Sequence, residues 1–191
     1  MASLADLDIS KPFVATVISN ERITPADSEE DIRNIVIELE DDFSYTVGDS
    51  IGLLVPGPHE FGSEYHLRLY TIAGGKKASG GKTRLTLCVK RCFYIDDYSG
   101  EKYEGKASNY FCDRTAGDKL TMAGPYKGAF SIPDDDTTNL LMVGLGTGIA
   151  PFRAFVRHIY DERGGWKGKV RLFFGAKTGL EMIYMNDKRD D

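Results

Sequence analysis

Cysteine is scarce in this 191-residue chain: Cys88, Cys92 and Cys112 are the only three. They form no metal-type spacing with the three histidines, His59, His66 and His158. Zinc or iron–sulfur chemistry within the chain is therefore not expected, and an odd cysteine count fits reduced, structural thiols. No apolar run approaches the ~20 residues that cross a bilayer, so no membrane span is expected. The first eight residues, Met1 to Asp8, are acidic and lack a basic segment followed by an apolar core, so neither a secretory leader nor a transit peptide is expected. A cytoplasmic protein is the expectation, with an organelle stroma left open. Nothing points to a nucleic-acid partner.

What is present is an ordinary globular mixture, 41% hydrophobic and 28% charged, long enough for one full domain or one and a part. Charge is uneven. Residues 1–65 carry 3 Lys+Arg against 14 Asp+Glu, residues 66–128 carry 12 against 6, and residues 129–191 carry 9 of each. A basic middle on an acidic chain fits anionic ligands or an acidic docking partner, and equally a mixed solvated surface.

Short strands separated by turn signals dominate the first two thirds. Phe13–Ser19, Ile35–Leu39 (ended by Asp41-Asp42), Ile51–Val55, Leu67–Ala73, Leu85–Val89 and Lys119–Ala123 read as strands, the last stopped by Gly124-Pro125. The turn-rich stretch Pro56 to Gly62 precedes the fourth. Gly74 to Lys82 is expected to be a mobile loop. This pattern predicts an antiparallel barrel or sandwich. On the strand Arg68-Leu69-Tyr70-Thr71, period-2 spacing puts Arg68 and Tyr70 on one face. A guanidinium fork suits a diphosphate and a tyrosine ring suits a flat aromatic ligand. Taken alone, the four residues favour an ordinary strand. The stretch Gly105-Lys106-Ala107-Ser108 leads into helical spacing, with Ser108 as the expected N-cap. A helix start of this kind can bind an anion or simply cap a surface helix.

After the polar stretch Pro133-Asp134-Asp135-Asp136 the character changes. Asn139–Val143 is a continuous apolar run, as in a strand buried on both faces. It enters Gly144-Leu145-Gly146-Thr147-Gly148 and then a helix with Pro151 in its first turn. Ile149, Phe152, Phe155/Val156 and Ile159/Tyr160 recur at helical spacing. Val170–Phe174 is a second buried strand. This β-loop-α-β order opens a nucleotide-binding unit. The loop lacks the lysine of a Walker loop. It has Ile149 where a dinucleotide fingerprint needs Gly or Ala, and no acid ends the second strand. It reads as a phosphate-approach loop of a different kind.

In order along the chain, Arg68-Leu69-Tyr70-Thr71, Cys88-Val89-Lys90-Arg91 with Tyr94, Gly105 with Ser108-Asn109, Gly124-Pro125, Gly146 to Arg153 and Phe174-Gly175 resemble the plant-type ferredoxin–NADP reductase family. The resemblance implies two domains: an N-terminal Greek-key antiparallel β-barrel that binds FAD, residues 1–136, and a C-terminal α/β domain that binds NADP(H), residues 137–191. It implies electron transfer between NADP(H) and a ferredoxin or flavodoxin-like acidic carrier through FAD. The alternatives are an NAD(P)H-dependent reductase component of an oxygenase, or an FAD-binding module with little turnover. By resemblance, Arg68 binds the FAD diphosphate, Tyr70 stacks on the flavin with Leu69 beside it, and Thr71 takes a slot usually held by Ser, near the reacting ring nitrogen. Tyr70 and Thr71 are the implied catalytic residues. Cys88, Val89 and Lys90 would line the flavin, with Lys90 near NADP phosphates, and Tyr94 would cover the adenine. Lys106, Ala107 and Ser108 would hold the diphosphate. Thr147 would lie between the cofactors, Gly146 and Gly148 would admit the NADP diphosphate, and Ala176 and Lys177 would contact the nucleotide further on. The sequence departs from the family at Tyr126-Lys127-Gly128, where the family carries Gly second after Pro, and at Ala107, often Cys. Two clear strands after residue 139 are too few for a sheet of ~4–6, so the second domain is expected to be truncated.

Overall fold

The computed structural model describes residues 4–40, 43–59 and 62–185. Asp41-Asp42, expected to end the second strand, Glu60 and Phe61 of the turn-rich stretch, Met1 to Ser3 and residues 186–191 lie outside the described residues.

Six strands close into an antiparallel barrel: β1 (Phe13–Arg22), β2 (Ile32–Leu39), β3 (Ser50–Pro56), β4 (Tyr65–Lys77), β5 (Thr83–Lys90) and β8 (Lys119–Tyr126), in the order β1-β2-β5-β4-β3-β8. β3, β4 and β5 follow one another as neighbours while β2 lies beside β5, which is Greek-key order. Alternation supplies the core. Ile35, Ile37 and Leu39 of β2 meet Leu85, Leu87 and Val89 of β5 inside the barrel, all fully buried or nearly so. The short helix α1 (Lys106–Cys112) closes one end by sinking Ala107, Phe111 and Cys112 into the same core. Its last carbonyl is met from the wall, where the Asn20 amide donates to Cys112 O at 3.0 Å and, just past the helix, to Arg114 O.

Three expectations about this half are corrected. β4 does not end at Gly74 but runs to Lys77, paired with β5 from Ile72↔Leu87 to Lys77↔Thr83 across a bulge. Glycine at 75 serves close packing: a Cβ there would run into the Tyr45 hydroxyl. β8 does not stop at Gly124-Pro125 but passes through this cis peptide to Tyr126, which pairs with Ser50 across a register shift. A hairpin, β6 (Phe93–Ile95) with β7 (Lys102–Glu104), stands where sequence spacing gave no strands.

The remaining elements are β9 (Leu140–Leu145), a tight turn at Gly146–Ile149, α2 (Ala150–Arg157), a wider helical turn at His158–Glu162, and β10 (Val170–Gly175). β9 and β10 pair in parallel. α2 buries Phe152 and Phe155 against Met142 of the sheet, with Val47 and Ile132 beside them. Ile149 and Ala150 pack on Ile32, Ala73 and Cys88 of the barrel. The helix is thus wedged between sheet and barrel. The strands are not buried on both faces, contrary to the sequence expectation. Met142 faces the helix, but Leu141, Val143, Leu145 and Phe173 are 68, 62, 73 and 59% exposed. No helix among the described residues is long and apolar enough to cross a membrane.

Candidate functional site

Where the mouth of the barrel faces the end of β9, a cleft of about 810 Å³ opens, within the size range of small-molecule sites. One wall is β4, which contributes His66, Arg68, Leu69, Tyr70 and Thr71. The face carrying Arg68, Tyr70 and Ile72 runs from solvent into the core. Arg68 is exposed, Tyr70 packs on the barrel interior, and Ile72 is fully buried. The Tyr70 ring meets the Phe111 ring edge-on, 5.3 Å between centroids. Burial holds the Tyr70 phenol well above its ordinary range, so it stays a neutral ring. The Thr71 hydroxyl lies 3.4 Å from the Ser50 hydroxyl.

The second wall is β5 with the start of α1. Cys88 and Lys90 line the cleft. Val89 does not: alternation turns its side chain into the barrel core. Lys90 is held by Glu30 at 2.6 Å, and Lys177 reaches the same carboxylate oxygen at 3.5 Å. The helix begins two residues before Ser108, with Gly105 as its N-cap. Ser108 therefore sits inside the first turn, and its hydroxyl donates to Gly105 O and accepts the Cys92 amide. Asn109 completes the clasp. Its amide donates to Cys92 O and Gly105 O at 2.9 Å each, and its oxygen accepts from Arg91 at 2.9 Å. The bond from Asn109 N–H to Gly105 O opens the helix, and this is the end at which a helix turns its backbone N–H groups outward.

The third wall is the β9 turn, with Val143, Gly144, Leu145, Thr147 and Gly148, followed by Ala150 to Phe152. At Gly146 and Gly148 nothing among the described residues, the adjoining chain aside, lies within 4 Å of where a Cβ would sit, so room is left at the turn. Gly146 itself stands off the cleft wall, and so does Tyr94. Tyr94 is on the β6–β7 hairpin, exposed and stacked on Tyr103 at 5.2 Å. Among the described residues, the cleft lining contains Arg68, Lys90, Lys106 and His66, and no carboxylate. Such a wall with an aromatic ring at its base suits a ligand that is both anionic and flat.

The segment 142–189 matches the family model for an oxidoreductase NAD-binding domain. Over 182 residues, 93% of this chain, the sequence is 33% identical to the cyanelle ferredoxin–NADP reductase of Cyanophora paradoxa and covers 50% of that protein. It is 34% identical over 180 residues to leaf isozyme 1 of the chloroplastic ferredoxin–NADP reductase of Arabidopsis thaliana, covering 92% of this chain and 50% of the relative. The chain is thus similar to ferredoxin–NADP reductases over nearly all of its own length. It spans about half the length of these reductases. The fold agrees: ferredoxin–NADP+ reductase from Plasmodium falciparum superposes with a TM-score of 0.74 at 20% identity, covering 95% of this chain and 64% of that one.

The cleft has lining residues that sequence reasoning passed over. His66, Cys92 and Phe130 line the cleft, as do the hydrophobic residues of the β9 end. His66 was findable, since period-2 spacing puts it on the face of Arg68 and Tyr70. Behind the second wall lies Asp31, with Arg33 at 2.9 Å and Arg91 at 3.0 Å. Burial alone would raise its carboxyl, but hydrogen bonds from Arg33 and Arg91 outweigh that and hold it below the usual range. A carboxylate depressed in the folded state adds stability above its unfolded value and loses it as pH falls through the folded one. Asp31→Asn is therefore expected to lower the urea midpoint at neutral pH and to flatten its decline on acidification. An unchanged acid limb would show that Asp31 is not part of that decline.

Proposed function

We propose that this chain holds FAD in a flavin-dependent oxidoreductase that passes electrons between NADP(H) and a small acidic carrier of ferredoxin or flavodoxin type. The observation that carries the reading is the cleft with Arg68 and Lys106 at its mouth and Tyr70 at its base, lined by no carboxylate among the described residues. In this reading residues 1–136 form the flavin domain and residues 137–191 belong to the NADP(H) domain. Bound FAD supplies a ring that accepts a hydride and releases electrons singly. The protein's part is to bind and orient. The Arg68 fork and the amides of Lys106, Ala107 and Ser108 grip the diphosphate, leaving the Ser108 hydroxyl to its internal bonds. The Tyr70 ring, fixed by Phe111, offers the stacking surface, with Leu69 beside it and the Thr71 hydroxyl at its edge. Cys88 and Lys90 bound the other side. Thr147 and Gly148 leave space across the cleft for the nicotinamide nucleotide, which Lys90 and Lys177 would reach only by exchanging Glu30 for a phosphate.

Purified protein is expected to turn yellow with added FAD and to retain it through gel filtration, and Tyr70→Ala to lose flavin or shift its potential. Protein that stays colourless and leaves FAD fluorescence unchanged would remove the reading. One observation favours a second reading, a flavin-holding module with little turnover: the parallel sheet has two strands among the described residues, and one of its faces is bare. Ferricyanide reduction by NADPH separates the two readings, since a module without turnover holds FAD but leaves ferricyanide oxidised.

A further inference from the structure

The cationic end of the cleft contains one group whose charge is not fixed. His66 lies two residues before Arg68 on β4, on the same face, and both line the cleft with Lys106 of α1 across from them. His66 is half-buried. Its outer neighbour is His59, whose ring lies 5.8 Å away. His59 is anchored through Nε2 to Val55 O at 2.9 Å, and Val55 is the residue directly across β3 from His66. Among the described residues, the ionisable groups that face His66 are Arg68 on its own strand, Lys106 from α1 and His59 from the turn after β3. The nearby carboxylate of Glu64 is engaged by the Tyr65 hydroxyl.

Desolvation first, and then these neighbours, hold the His66 imidazole below its ordinary value, so the unliganded cleft favours its neutral form. An anion placed among Arg68, Lys106 and His66 reverses that balance. It offsets the cations and offers the ring a hydrogen-bond acceptor. We infer that His66 is a third cationic contact for the ligand's diphosphate, and that it takes up one proton from solvent as the ligand binds. No bond in the ligand forms or breaks. The inference rests on the FAD reading above and adds to it a pH dependence built into ligand capture.

The sign follows from linkage. A group that is neutral without ligand and protonated with it makes binding tighter as pH falls, by at most about tenfold per pH unit for one proton. The diphosphate diester itself does not titrate in that range. Dissociation constants for FAD, read from flavin fluorescence between about pH 5.5 and 8.5, are expected to tighten by roughly tenfold overall towards acid. Riboflavin, which has no phosphate, is expected to show a flat profile. His66→Gln should bind FAD as wild type does at high pH, with no slope. His66→Lys should bind at the acid-limit affinity throughout, and it also reports on folding if the Gln variant is unstable. A flat wild-type profile with FAD bound, or a slope that survives in His66→Gln and disappears in His59→Gln, overturns the inference and leaves the FAD reading standing. Failure to bind FAD at any pH removes that reading and the inference with it.

Discussion

Arg68→Ala is expected to weaken FAD binding by roughly 10- to 150-fold, the equivalent of losing one charge-assisted hydrogen-bonded pair worth ~1.5–3 kcal/mol. Arg68 is exposed at the cleft mouth, and sequence alternation separates it from the buried Ile72 by only four residues of the same strand. Its removal leaves the core untouched, so the FAD-free protein should keep its urea midpoint within ~0.5 kcal/mol. Arg68→Lys keeps the charge and loses the fork, and should recover only part of the affinity. A fluorescence titration in which Arg68→Ala matches wild type would place the diphosphate elsewhere.

The second large effect combines fold and site. Phe111→Ala should cost about 3–5 kcal/mol of folding stability, because it empties the largest fully buried side chain of the barrel core. The same ring is the brace behind Tyr70. In whatever fraction stays folded, FAD affinity should therefore fall as well, although Phe111 is not among the residues lining the cleft. Urea denaturation gives the first number and a titration under folding conditions the second. A loss below ~1 kcal/mol would mean that α1 is not the plug that closes the barrel.

These two residues show what primary structure can and cannot reveal. Arg68 and Tyr70 were legible because a strand turns alternate residues to one face, and that rule needs no tertiary information. The core strands β2 and β5 were legible for the same reason, as was the β9–turn–α2–β10 order. Phe111 was not singled out, because its importance comes from the pairing of α1 with a barrel formed almost entirely by earlier residues. The start of α1 was misplaced for a related reason. A serine before a helical run looks like a cap, but here its hydroxyl is used to tie Cys92 to Gly105. The glycines at 74 and 75 looked like a loop because composition cannot distinguish a glycine needed for freedom from one needed for Tyr45. Proline at 125 looked like a stop, yet β8 continues across it to pair with the start of β3. The apolar runs of β9 and β10 gave the right elements and the wrong burial. Hydrophobicity says what a face prefers to meet, while exposure depends on what the rest of the fold brings to it.

The ion pairs around β2 bear on how another protein would approach. Counted along the chain, the middle segment is strongly basic and the first segment strongly acidic, which invites the picture of a positive plate ready for a negative visitor. Folding lays the two segments side by side. Lys82 and Arg84 close on Glu38, Lys90 on Glu30 and Arg91 on Asp31, so these opposite charges form short local dipoles. Such dipoles fade within a few ångströms, and the long-range potential comes from the cations they leave over. An approaching acidic surface would be steered by a few points around the barrel mouth, with far less pull than a tally of lysines and arginines implies.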